Sequence, residues 1–151
     1  MARWKEIEDD AAEFARRVRG RFEAGTNKTI ATVRADGAPR ISGLELKFTD
    51  GEVTFGMMGG SRKLADVLRD PRIAVHSPTI EPPAGDPASW EGDAKLAGLA
   101  VHTGPAAESE EGGAFRIDIT EVVLTYVGTP ADHLVIETWH PAGGWQRRTR
   151  R

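Results

Sequence analysis

The stretch Phe55-Gly56-Met57-Met58-Gly59-Gly60-Ser61-Arg62-Lys63-Leu64 joins two kinds of periodicity through paired glycines. Before it, Val53, Phe55 and Met57 alternate with Thr54 and Gly56, the repeat of a half-buried strand. After it, Leu64, Val67 and Leu68 share one helical face, Ser61 stands at the N-cap position, and Asp70-Pro71 supplies a stop. A strand that passes through glycines into a helix start can bind an anion. The backbone can approach a ligand closely, free N–H groups point outward, Ser61 adds a hydroxyl, and Arg62 and Lys63 add two cations. The spacing is neither the phosphate loop that ends in Gly-Lys-Ser/Thr nor the GxGxxG of dinucleotide folds. A capped surface helix with two solvated basic residues gives the same local pattern, so these ten residues alone leave both readings open.

The flanking sequence sets the fold class. Trp4, Ile7, Ala11, Phe14, Val18 and Phe22 recur every three or four residues and predict one amphipathic helix over 4–22. From Thr29 the pattern becomes β. Thr29–Ala35 ends in the turn signal Asp36-Gly37, Arg40–Phe48 runs back with Leu44, Leu46 and Phe48 alternating, and Asp50-Gly51 leads into Val53–Met57, so three successive strands predict a meander. Beyond the short helix, Arg72–Ser77 is a compact apolar strand, and the proline-rich Ser77–Gly92 reads as a loop long enough for function. Ala94–Thr103 is strand, the acidic run Glu108–Gly113 a break, Phe115–Val127 a long strand, and His133–His140 with Trp145–Thr149 a final hairpin. Strands and helices do not alternate regularly, which excludes a doubly wound sheet. The expected fold is mainly β, one small and mostly antiparallel barrel with flanking helices, spanning 1–151 as a single domain with the barrel over about 29–149.

With the element order in place, Gly60-Ser61-Arg62-Lys63 followed by Asp70-Pro71-Arg72-Ile73-Ala74-Val75 closely resembles the pyridoxamine 5′-phosphate oxidase-like family of FMN-binding split β-barrels, over about Thr29 to Val127. The resemblance implies FMN as cofactor, with Arg62 and Lys63 on its phosphate and Ser61 assisting. It implies that Arg40–Phe48 runs beside the isoalloxazine ring, so that the backbone of Ser42, Gly43 and Leu44 and the side chain of Lys47 contact ring or substrate. Met57 stands at a further cofactor position where polar residues are common in the family. A homodimer with the cofactor in a cleft between subunits is also implied, and Trp139, Trp145 and the strand Leu134–Trp139 are its interface or cleft wall, or else ordinary core. The activity implied is a flavin-dependent oxidoreductase acting on a small molecule. The alternatives are a reductase using the deazaflavin coenzyme and a non-enzymatic flavin- or haem-binding protein. No counterpart of the arginine–histidine substrate clamp of the true oxidases is visible, so substrate and catalytic residues stay unassigned.

Composition narrows the remaining classes. The absence of cysteine removes disulfides, zinc thiolates, iron–sulfur clusters and thiol catalysis. A net charge of −3 argues against broad nucleic-acid binding. No run approaches the roughly 20 apolar residues of a membrane span and Met1–Glu6 is not an apolar signal, so the expected location is cytoplasmic. His76, His102, His133 and His140 are scattered without metal-ligand spacing, and no Gly-x-Ser-x-Gly elbow occurs. Asp9-Asp10 and Glu108–Glu111 read as solvated charge. Arg16, Arg17, Arg19 and Arg21 read as a solvated helix face, and Arg147, Arg148, Arg150 and Arg151 as a solvated basic end. The alternative for either arginine group is to supply cations to the anionic tail of the deazaflavin coenzyme.

Overall fold

The computed structural model describes residues 2–151. The amphipathic segment forms two helices, α1 (Trp4–Asp10) and α2 (Ala12–Phe22), broken at Ala11 with φ −145° and ψ 66°. The apolar spacing runs straight through Ala11, so periodicity alone predicts one helix. The break sets two axes, and both apolar stripes reach one core: Trp4 and Ile7 from α1, Phe14, Val18 and Phe22 from α2. Phe48 receives both, edge-on to Trp4 at 4.9 Å and tilted against Phe22 at 5.9 Å.

Nine strands follow: β1 (Lys28–Val33), β2 (Pro39–Leu44), β3 (Lys47–Thr49), β4 (Glu52–Met57), β5 (Arg72–His76), β6 (Asp93–Ala106), β7 (Ser109–Val127), β8 (Leu134–His140) and β9 (Gly144–Arg150). The third helix, α3 (Arg62–Arg69), lies between β4 and β5. All strand pairs are antiparallel, in the order β2-β1-β5-β6-β7-β4-β3, with β8 on β7 and β9 on β8. The mainly antiparallel barrel expected from the sequence is therefore present.

The predicted meander is not. Arg40–Phe48 divides into β2 and β3, which sit at opposite ends of a seven-strand path although only Glu45-Leu46 separates them. Three residues of chain span at most about 11 Å, so the two ends of the sheet must curl together. A sheet that closes without pairing its end strands is a split barrel. Both Asp-Gly turns occur where predicted; at Asp50-Gly51 both residues take positive φ, 52° and 75°, the twist a two-residue hairpin needs.

The acidic run is the other correction, because Ser109–Gly113 is already strand and the turn falls at Ala107-Glu108. Gly112 and Gly113 serve close packing here. A Cβ on Gly112 would lie 2.5 Å from the Met57 carbonyl oxygen, and one on Gly113 would lie 2.8 Å from the Phe115 ring. The loop after β5 carries one 3-10 turn, Pro87–Ser89, and Trp90 Nε1 closes it by donating to the Ile80 carbonyl at 2.8 Å. Trp139 is core, 4% exposed, with Nε1 donating to Asp10 at 2.8 Å, whereas Trp145 is 45% exposed. Among the described residues no helix is long and apolar enough to cross a membrane.

Candidate functional site

The glycine pair is built for two different reasons. Gly59 lies against β7, where a Cβ would come within 2.7–2.9 Å of Glu111, backbone included, and Gly60 turns the chain at φ 76°. Ser61 then caps α3 from extended backbone, its Oγ accepting from Leu64 N–H at 3.3 Å while its carbonyl accepts from Ala65 N–H. The first two amides of the helix, those of Arg62 and Lys63, have no backbone partner among the described residues and face outward at the positive end of the helix dipole. The Arg62 side chain is exposed and joins no ion pair or hydrogen bond among the described residues.

Lys63 brings a second element to this point. Its Nζ donates to the Gly43 carbonyl at 2.6 Å, tying the helix start to β2. An ammonium carries three donors, so two remain for a ligand. Ser61, Arg62, Lys63, Ser42 and Gly43 thus form one neighbourhood, and Leu44, buried at 4%, presents only backbone there. Met57 departs from the expectation: its side chain is 2% exposed and packed in the core, so it offers a cofactor no side-chain contact.

Lys47 sits apart, exposed at the start of β3 and lining an open cleft of about 730 Å³ with Lys28, Leu46, Thr54, Phe55 and Thr103. Lys28, 7% exposed, spends its ammonium on the Gly25 and Thr26 carbonyls, which leaves Lys47 as the available cation of the pair. Phe55 and Phe115 stack at 5.2 Å and lie almost wholly buried beneath the cleft, whose rim also carries Glu23, Glu45 and Glu108. Along the chain, only Glu45-Leu46 separates Lys47 from the end of β2.

Other groups are used elsewhere. Arg16, Arg17, Arg19 and Arg21 pair with Glu13, Glu137, Glu23 and Glu91 and do not converge on the helix start. Arg147, Arg148 and Arg150 lie exposed on β9. His133 and His140 hydrogen-bond Asp132 and Glu121, and His76 Nδ1 lies 2.6 Å from the Ser77 carbonyl. Among the described residues no three His, Asp or Glu side chains gather as a metal site.

Sequence reasoning passed over Asp66. This α3 carboxylate is 2% exposed and accepts from Arg40 Nε at 2.7 Å, Thr32 Oγ1 at 2.7 Å and Arg69 at 3.0 Å. The Arg40 hydrogen bond, helped by Thr32 and Arg69, holds its pKa at about 2, below the ordinary 3.8, against the opposing pull of burial. A carboxyl whose folded pKa is depressed contributes stability above its unfolded pKa and loses it as pH falls through the folded one. The protein is therefore expected to lose stability between about pH 4 and pH 2, and thermal melts of Asp66→Asn should show a flatter acid limb than wild type. Asp70, held at about 2 by Arg72, is a solvated pair and adds little to that limb.

No protein-family model matches the chain, and no curated protein sequence does. Solved structures match it clearly. A pyridoxamine 5′-phosphate oxidase-related, FMN-binding protein from Nostoc punctiforme PCC 73102 superposes over 100% of this chain and 98% of its own, with a TM-score of 0.67 at 10% identity. The fold is the pyridoxamine 5′-phosphate oxidase-like split barrel. An F420 reductase shares this split barrel over 69% of the present chain and 94% of its own (TM-score 0.53, 16% identity). So does a haem-binding protein from Mycobacterium smegmatis, over 88% and 86% (TM-score 0.53, 12% identity). One split barrel thus accompanies three ligand chemistries, and the choice among them rests on side chains.

Proposed function

We propose that this split barrel is a flavin-dependent oxidoreductase that binds FMN at the start of α3 and along β2 and β3, and acts as a homodimer on a small-molecule substrate. The observation that carries the reading is the Lys63–Gly43 bond, which sets unbonded amides and the unpaired Arg62 beside the strand leading to the Lys47 cleft. These donors fit a phosphate: two main-chain N–H groups, a guanidinium, two remaining ammonium donors and the Ser61 hydroxyl. Bound FMN would supply hydride or electron transfer. The chain's own share is to neutralise the phosphate with Arg62 and Lys63, to line the ring with the backbone of Ser42, Gly43 and Leu44, and to place Lys47 at its open side.

The outer sheet face supports the homodimer. Ile41, Ala31, Ala74 and Ala97 lie opposite one another across β2, β1, β5 and β6, and Ile41 is 74% exposed. A row of small and apolar side chains is a surface that another chain covers well. A second reading, a reductase using the deazaflavin coenzyme, draws on the likeness to the F420 reductase and uses the same phosphate site.

Absorption spectra during separate titrations with FMN, the deazaflavin coenzyme and haem, with mass spectrometry of released ligand, test both readings. Saturable, stoichiometric uptake of FMN is expected. Preference for the deazaflavin selects the second reading, and uptake of haem alone or of none retires the redox assignment.

A further inference from the structure

Helix α3 is tied to the β1–β2 hairpin at three points spaced by three residues: Lys63 to the Gly43 carbonyl, Asp66 to Thr32 and Arg40, and Arg69 to the Val33 carbonyl at 3.0 Å. Residues at this spacing share one side of a helix. The neighbouring apolar stripe, Leu64 and Val67, buries the helix but fixes its position along the strands weakly, because apolar contact is non-directional. Hydrogen bonds have direction and length. The middle tie is the strongest of the three, a buried carboxylate with three donors, two of them guanidiniums from opposite sides of the helix–hairpin contact. Asp66 lies one turn beyond Lys63, so a slide of α3 along the hairpin would carry the Arg62 and Lys63 amides away from Gly43.

We propose that Asp66 is a positioning residue for the anion site, holding the first turn of α3 in register with Gly43 through Thr32 and Arg40. The proposal rests on the reading of that turn as the FMN phosphate site. It makes a prediction opposite in sign to simple electrostatics. Asp66→Asn removes a negative charge within about one helical turn of the phosphate, and charge alone would tighten FMN binding. Loss of position weakens it.

The experiment compares dissociation constants for FMN and for riboflavin, which lacks the phosphate, in wild type and in Asp66→Asn, with circular dichroism confirming the fold. Expected is FMN binding weakened roughly ten- to a hundredfold, the range that outer-shell partners carry at metal sites, with riboflavin binding unchanged. FMN binding that is unchanged or tighter overturns the proposal, as does equal weakening of both ligands, which marks a general loss of structure. Should Asp66→Asn fail to fold, Thr32→Val removes one donor with little change of shape. About a two- to tenfold loss selective for FMN is then expected, and none overturns the proposal. Wild type that does not prefer FMN to riboflavin overturns the phosphate site itself. A wild-type preference that survives in the variants overturns only the role of Asp66.

Discussion

Replacing Arg62 and Lys63 together with alanine is expected to abolish FMN binding while the barrel stays folded. Each residue offers a charge-assisted hydrogen bond worth roughly 1.5–3 kcal/mol, so the pair accounts for about two to four orders of magnitude in affinity. The fold should survive because neither residue is embedded in it. Arg62 is exposed and unpaired among the described residues, and Lys63 gives up one hydrogen bond to a carbonyl. The N-cap bond from Ser61 to Leu64 and the Asp66 ties remain to hold the helix. Fluorescence titration with FMN and a thermal melt separate the two outcomes. Full retention of binding would remove the phosphate from the start of α3 and return Arg62 and Lys63 to solvated surface charge.

Glu137→Ala should cause a clear loss of stability at a cluster remote from that site. Glu137, 5% exposed on β8, accepts from Tyr126 at 2.6 Å, Trp145 Nε1 at 2.9 Å and Arg17 at 3.1 Å, and the Arg17 guanidinium also lies over the Tyr126 ring at 4.2 Å. This one carboxylate joins α2, β7 and β9. Its removal takes the acceptor from three donors, of which Arg17 and Trp145 are partly exposed and can turn to water, so the expected cost is about 2–3 kcal/mol. For a chain of this size the melting temperature should fall by on the order of 10 °C. Glu137→Gln should lie between, since its amide can accept from two donors but turns its NH2 toward the third. A loss below about 1 kcal/mol in denaturant titration of Glu137→Ala would reduce the cluster to an ordinary surface pair.

These two sites differ in how far they could be read from sequence. Ser61-Arg62-Lys63 is local: cap, cations and free amides follow within one turn, and the structure keeps them together. Glu137 and Asp66 are ordinary acidic residues until the chain folds, because the partners that bury them include distant ones, Arg17 at 120 residues, Thr32 at 34 and Arg40 at 26. Lys63, Asp66 and Arg69 show their shared helical face in the spacing, yet nothing in the spacing names Thr32, Arg40, Gly43 or Val33 as what that face meets. Met57 shows the converse. The family resemblance implied a cofactor position there, and alternation along β4 sends its side chain into the core.

The sequence by itself determined most element types, both Asp-Gly turns, the antiparallel barrel class and the Ser61-capped start of α3. Each follows from interactions within a few residues: periodic burial, positive φ at turns and free amides at a helix end. Tertiary structure alone decided that β2 and β3 part to opposite ends of the sheet, that the acidic run pairs as strand, that the first helix breaks at Ala11, and that Asp66 and Glu137 become buried anchors. Those outcomes depend on which distant surfaces meet. Pairing of strands and burial of charge are settled by contacts between remote segments, whose free energy no local window contains.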